Sequence, residues 1–468
     1  MRSPSGSWRT LLGKEWRELT ASRAWWVMLV VMGPLVGFAF IGAVRTYSEA
    51  SGFNGSAAGV GEAFSPLVGI WAPAFSACEL AAVFLLPFVG IRLVSGDRQS
   101  GALKLELQHP MPALARVAAK VVVLIGGWMV ASIPPLVAIV LWRLYGGSIY
   151  LPELATVFAG HLVNANLTIA MAVATASMTD HPSTAAIVTL SVTVGTWIVN
   201  FVAAVQGGLW ERMARYTPTA MVAEFQHGLI RLDVVLAACS LAAAGIGLGA
   251  IWMRLGVPVR RRVVESAALT IATVGVVAVC AGATASWDMS ESRRNSFPHA
   301  DEIALAAIAQ PISIEVHLAP EDPRRVDLEH RALSKLRRVR PDVEVRYVSA
   351  TSIGLFEQTN AGYGEVWFDV GGRKAMTRST TADALLETIY SLAGVVPSAD
   401  EEPIFRGHPL ATQPRGAALI FYVLWPALVT SLGIAKGRAP AARARGRREA
   451  PRSGAPERAR AGVGPREQ

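Results

Sequence analysis

"WWVMLVVMGPLVGFAFIGAV", residues 25–44, carries no charged side chain and is bracketed by Arg23 and Arg45. As α-helix a run of this length rises about 30 Å, the thickness of the bilayer's hydrocarbon core. It is too long for a signal-peptide core and no clean small-residue cleavage site follows it, so it reads as a retained first span. Seven more apolar runs follow at 71–94, 118–141, 155–177, 183–204, 233–253, 265–285 and 417–435. The chain of 468 residues is 52% hydrophobic and 17% charged, with mean hydropathy +0.37. Soluble domains carry about 25% charged residues, and the deficit here is concentrated in the eight runs. The fold class expected is an α-helical polytopic membrane protein with about 8 transmembrane helices.

Charge placement orients these helices. The ends on the N-terminal side hold Arg9, Lys14, Arg17 and Arg23, then Arg92, Arg98, Lys104, Arg116 and Lys120, then Arg254, Arg260, Arg261 and Arg262. The tail after 435 adds ten Lys/Arg against three Glu, whereas the short opposite loops hold Arg45, Arg143, Arg212 and Arg215. Lys and Arg accumulate on the cytoplasmic side. The expectation is a multi-pass protein of the cell (inner) membrane with both termini cytoplasmic. The net charge of +9 then lies mainly against anionic membrane lipid. The tail has no aromatic residue on which a base could stack. It reads as a disordered, membrane-apposed segment, with no nucleic acid as partner.

The polar stretch 286–416, with 15 Lys/Arg and 19 Asp/Glu, is expected outside. "ISIEVHL" (312–318) and "VEVRYV" (343–348) alternate as half-buried strands, and 327–340 places Leu328, Ala332, Leu336 and Val339 on one helical face. "EVWFDVGGRKAMT" (365–377) reads as a hairpin across Gly371-Gly372. "TADALLETIYSLAGV" opens on a threonine cap and keeps Leu385, Leu386, Ile389 and Leu392 in helical register. Strand–helix–strand, hairpin, helix is the order of a small α/β, thioredoxin-like extracytoplasmic domain. Redox chemistry on that fold uses a Cys-x-x-Cys pair, and the stretch contains no cysteine. Cys78, Cys239 and Cys280 all fall in apolar runs and read as small buried apolar residues. His299, His317, His330 and His408 show no metal-ligand spacing, so no metal and no catalytic residues are assigned.

"SGDRQSGALKLELQHPMP" (95–112) is a charged, Pro-bounded connector between the second and third runs. Gly96 and Gly101 match the glycines of a phosphate-binding loop, but Ala102-Leu103 stand where Lys-Ser/Thr would hold phosphate and magnesium. The chain is therefore not expected to bind a cofactor or hydrolyse ATP. Leu103 and Leu107 share one face with Ala102, and Pro110 and Pro112 close the segment. On periodicity alone this is an amphipathic interfacial helix.

Taken together, Asp97-Arg98, Gly101, the Leu-rich turn, His109-Pro110 and Lys120 resemble the first cytoplasmic loop of ABC transporter permeases of the type 2 export class. "LLGKEWRELTASRAWWVMLVVMGPLVG" (11–37) is similar to that family's in-plane helix and first span. "ASMTDHPSTAAIV" (176–188) resembles its tight turn between the fourth and fifth spans, and "YTPTAMVAEFQHGLIRLDVVL" (216–236) its approach to the sixth, with Gly228 and Asp233. "WDMSESRRNSFPHADEIALAAIAQPISIEVHL" (287–318) resembles the start of the auxiliary extracytoplasmic subunit of gliding-motility-type ABC transporters, with Asn295-Ser296 at its turn. The resemblance implies a gliding-motility-type permease fused to a shortened auxiliary domain. It implies an ABC ATPase subunit as partner, carrying ATP and magnesium, and coupling to it through Asp97, Arg98, Gly101, Leu103, Leu107 and Pro110. It further implies a homodimer or second permease, and a periplasmic or envelope protein on the outside.

The corresponding division is an in-plane helix over 1–24, a six-span unit over 25–254, a linker and seventh span over 255–285, the exterior α/β stretch 286–416, an eighth span over 417–435 and a basic tail over 436–468. Glu79, His161, Asn164, Asn166 and Asn200 are polar residues within the spans. They line a translocation path or make interhelical hydrogen bonds. Pro134-Pro135 is expected to kink the third span. The competing functional reading is a membrane-anchored binding or sensor protein without transport. A secondary transporter would show internal repeats, and none is evident.

Overall fold

The computed structural model describes residues 4–53, 64–99, 111–206, 209–254, 256–319, 322–348, 362–397 and 405–436. It contains eight helical segments long and apolar enough to cross a membrane: Arg23–Gly52, Leu67–Asp97, Ala113–Leu144, Leu151–Met178, Pro182–Ala203, Leu232–Trp252, Val259–Cys280 and Ala417–Lys436. Each apolar run of the sequence has its helix, but the seventh lies earlier than the expected 265–285, beginning at Val259 and ending at Cys280. An N-terminal helix, Pro4–Ala21, precedes the first span and turns into it at Ser22.

Two spans are bent, each for a local reason. The second is interrupted at Leu85, two residues before Pro87, whose ring nitrogen has no hydrogen for the Val83 carbonyl. The third breaks at Ser132 (φ −84°, ψ 5°), just ahead of Pro134-Pro135, because neither proline has an N–H for the Val130 and Ala131 carbonyls. The Ser132 hydroxyl donates back to the Trp128 carbonyl at 3.0 Å.

The interior of the bundle is built by the first four spans, with Met32, Phe40, Trp71, Phe75, Trp128 and Trp142 buried together. The seventh span has no buried residue and leans on the sixth, where Leu269 sits over Gly247. Its outer surface is left for acyl chains. Cys78 is buried, but Cys239 on the sixth span is exposed and Cys280 at the end of the seventh is only half-buried, so the expected burial holds for Cys78 alone.

The eighth span returns to the first. Gly33 and Gly37, one helical turn apart, leave room for the Trp425 and Phe421 side chains, and Gly433 does the same for Trp26. The Trp425 indole donates to the Leu29 carbonyl at 2.7 Å. Small residues allow such close helix approach in lipid. At the far end the Tyr47 hydroxyl sits between the carbonyls of Phe64 (2.6 Å) and His408 (2.8 Å), sharing its one proton between them. The Thr412 and Leu410 amides donate to Ser48 and Ser51.

Six short strands lie beyond the spans. β1 (Leu229–Arg231) and β2 (Ser286–Asp288) form an antiparallel pair, which ties the start of the sixth span to the chain leaving the seventh. β3 (Ile312–Val316), β4 (Glu344–Tyr347), β5 (Val366–Val370) and β6 (Arg373–Thr377) form a mixed sheet of order β4-β3-β5-β6. β3 and β4 run parallel, and the other pairs are antiparallel. Gly371 (φ 58°) and Gly372 (φ 88°) turn the β5–β6 hairpin; both sit in the left-handed region that a two-residue turn of this hand demands. Helix Ala382–Ala393, capped by Thr381, adds Leu385 and Ile389 to one buried cluster with Ile314, Leu336 and Phe368.

The loop after β2 is organised by one carboxylate. Asp288 accepts from the Ser290 amide (3.0 Å), the Asn295 amide (2.9 Å) and the Ser296 hydroxyl (2.9 Å). Burial raises the Asp288 carboxyl, but the donors of Ser290, Asn295 and Ser296 outweigh it and hold the group below its ordinary range. Asn295 also donates to the His227 carbonyl at 2.8 Å. Thus "WDMSESRRNS" is a self-capping loop clipped to the segment that enters the sixth span.

The glycine contacts generate a prediction. In Gly37→Leu the new side chain meets the Phe421 ring, and forced overpacking costs about 1–3 kcal/mol. The expected result is a lower midpoint in thermal unfolding of the detergent-purified chain, while an equally large change at Gly42, which faces open space, leaves the midpoint unchanged.

Candidate functional site

The N-terminal helix buries Leu11, Glu15 and Leu19, one residue every four along a single face. A glutamate on an apolar stripe demands a partner. Three helices supply it.

The Lys120 ammonium, on the third span, donates to Glu15 Oε2 at 2.8 Å and to Asp97 Oδ2. Asp97 ends the second span. Lys14 donates to Asp97 Oδ1 at 3.1 Å and to Glu15 Oε1 at 3.2 Å, and pairs with Glu18 at 3.2 Å. The side chains of Glu15, Lys120 and Asp97 are 1%, 1% and 3% exposed, against 29% for Lys14. The network therefore has a dry centre and a wet rim.

The carboxylates of Glu15, Glu18 and Asp97 lie within 4.8 Å of one another, a spacing that could hold a cation. The cations there are the ammonium groups of Lys14 and Lys120. Three carboxylates against two ammoniums leave one excess negative charge. Burial pushes the Glu15 carboxyl up despite the pull of Lys120. Burial, then the charge of Asp97, push Glu18 up to about 6.

The network's place in the chain gives it meaning. Asp97 and Lys120 flank the connector 100–110. Arg116 completes that shoulder by donating to the Met111 carbonyl at 3.1 Å. The N-terminal helix and both shoulders of the connector are thus pinned together by one buried ion network. Of the residues expected to couple to a partner, Asp97 is in this network and Arg98 lies on the same helix end. Gly101, Leu103, Leu107 and Pro110 lie outside the described residues. Glu15, Lys14 and Glu18 escaped the sequence reading; the four-residue spacing Leu11-Glu15-Leu19 was the signal for them.

The intramembrane polar residues are scattered. His161 is buried, 3.3 Å from the Gln226 side-chain nitrogen and packed on the Phe75 ring. Asn164 is buried one turn further along the fourth span, and Asn166 is half-buried on another face. Asn200 accepts from the Thr217 hydroxyl at 2.8 Å. Glu79 is half-buried in the second span, about 18 Å along it from Leu67 by helical rise. Among the described residues no hydrogen bond joins any two of the five. The partner of Asn200, Thr217, is the cap residue of the short helix Pro218–Gln226.

Opposite the ion network, a second set of contacts joins the strand-bearing segment to the spans. Glu153, at the start of the fourth span, accepts from the Glu291 amide at 2.7 Å, and Glu291 Oε2 is 3.0 Å from His408 Nε2. Within that segment Arg338 reaches Ser286 of β2 at 2.9 Å. Compared with protein-family models, curated proteins and solved structures, the chain matches none.

Removing one partner of a buried pair strands the other charges. Lys120→Met is expected to destabilise the chain by about 3–5 kcal/mol, and adding Glu15→Gln and Asp97→Asn to recover part of that loss; thermal unfolding of the three variants checks this. For Glu18, the folded chain binds the proton more tightly than the unfolded one, whose carboxyl titrates near 4.5. Stability from this group therefore falls as pH rises through the window between 4.5 and about 6. Glu18→Gln is expected to flatten that part of the melting-temperature profile.

Proposed function

We propose that this chain is the membrane-spanning permease subunit of an ATP-driven ABC export system of the type 2 class, coupled to a separate ATPase subunit through the 96–112 connector. The observation that carries the reading is the buried Lys120 ammonium, shared by the N-terminal helix, the end of the second span and the start of the third. A force applied to the connector meets a corner with little give. It passes to the first three spans together rather than being dissipated in one hinge. The chain itself carries no ATP-hydrolysing machinery; ATP and magnesium belong to the partner.

In this reading the protein lies in the cell (inner) membrane with both termini in the cytoplasm. The ion network faces the cytoplasm, and the strand-bearing segment lies outside. Observed strand–helix–strand, hairpin and helix support the thioredoxin-like description of that segment, as a shortened auxiliary domain of the gliding-motility type. It engages cargo or an envelope partner. Two half-channels require a homodimer or a second permease. Transport runs outward.

Leu103→Asp with Leu107→Asp tests the coupling. The doubly substituted chain is expected to reach the membrane at normal abundance yet lose the co-purifying ATPase subunit. Unchanged recovery of an ATPase, together with unchanged export, would refute coupling through this segment.

A further inference from the structure

The elbow between the N-terminal helix and the first span borders two openings that share one residue, Arg23. On one side lies a cleft of about 900 Å³, walled by Glu18 and residues 21–24, by the last turns of the second span and by Pro182, Ser183 and Ala186 of the fifth. On the other side a groove of about 420 Å³ runs between the first and eighth spans. Apart from Arg23 and Thr430, its lining is apolar: Trp26, Val27, Val30 and Val31 face Val429, Gly433 and Ile434.

The charges in the cleft are unequally committed. Glu18 and Asp97 are paired with Lys14 and Lys120. Arg23 and Arg92, which also line it, have no carboxylate at ion-pairing distance among the described residues. The Ser22 hydroxyl is buried without a partner. Two guanidiniums without a carboxylate partner outweigh the one excess negative charge of the ion network, and with the unpartnered Ser22 hydroxyl near them they make a receptor for a phosphate diester. The depth is that of headgroups, because the first, second and fifth spans all reach their ends here. Phe88, 45% exposed, gives the cleft an apolar floor toward the membrane.

A soluble anion would use only the charged half of this arrangement. We propose that the elbow binds one anionic glycerophospholipid, its phosphate between Arg23 and Arg92 and one acyl chain in the groove between the first and eighth spans. The lipid then seals the joint at which the last span meets the first, and it reports on the elbow's geometry. This site is independent of ATPase coupling and stands whether or not the chain transports anything.

The test is native mass spectrometry of the full-length, detergent-purified chain offered phosphatidylglycerol and phosphatidylcholine in equal amounts. One phosphatidylglycerol per chain is expected, favoured about tenfold, the scale of a single charge-assisted contact. Arg23→Gln with Arg92→Gln is expected to abolish the preference, and Arg260→Gln with Arg261→Gln, basic positions at the same end of the bundle, to keep it. Val31→Trp fills the groove while sparing both charges and is expected to lose the lipid. Equal retention of the two lipids by the unaltered chain would overturn the proposal, whatever the variants do. So would full preference in the Arg23/Arg92 variant. Thermal protection by inorganic phosphate equal to that by the lipid would make this a soluble-anion site and overturn it as well.

Discussion

Hydrocarbon offers a backbone polar group no partner, so the backbone groups of the bundle must be answered by the chain itself. This constraint makes the spans helical and decides where they deviate. Pro87 and Pro134-Pro135 cannot complete the backbone ladder, and the helices bend at Leu85 and Ser132. Thr175 and Thr189 bond to each other at 2.7 Å across the fourth and fifth spans, and each also donates or leans back onto its own helix. Lys120 is the extreme case. A buried ammonium is tolerated because Glu15 and Asp97 surround it, and neither of those carboxylates is tolerable without it.

The two ends of the bundle are therefore built differently. At one end, ion pairs lock the N-terminal helix to the second and third spans. At the other, Glu153, Glu291 and His408 fasten the strand-bearing segment to the spans, helped by Tyr47 and by the β1–β2 pair. The first span meets the second set through Tyr47 and follows directly on the N-terminal helix that carries the first set, and the eighth span is keyed into it by Gly33 and Gly37.

Much of this architecture is legible in the sequence, and the reasons are physical. Apolar runs reveal spans because transfer into lipid depends on composition rather than on neighbours. Alternation and the Gly371-Gly372 pair reveal β3, β5 and β6 because their signals are local. Contacts between distant segments leave weaker traces. Asp97 and Lys120 stand out beside a charged connector, yet their partner Glu15 is disguised as one more charge on an amphipathic helix. The half-burial of Glu79, the exposure of Cys239 and the scattering of Asn164, Asn166 and Asn200 depend on helix rotation, which composition does not set. The docking of Trp425 on Gly33 is invisible until both helices are in place.

The account rests on Leu103 lying on the cytoplasmic side, on a connector held by the Lys120 network. Cysteine accessibility measures this directly. In a chain whose Cys78, Cys239 and Cys280 are replaced by alanine, Leu103→Cys is exposed to a membrane-impermeant maleimide in sealed vesicles of either orientation. The account predicts labelling in inside-out vesicles and protection in right-side-out ones. Labelling from the outer face of right-side-out vesicles would contradict it.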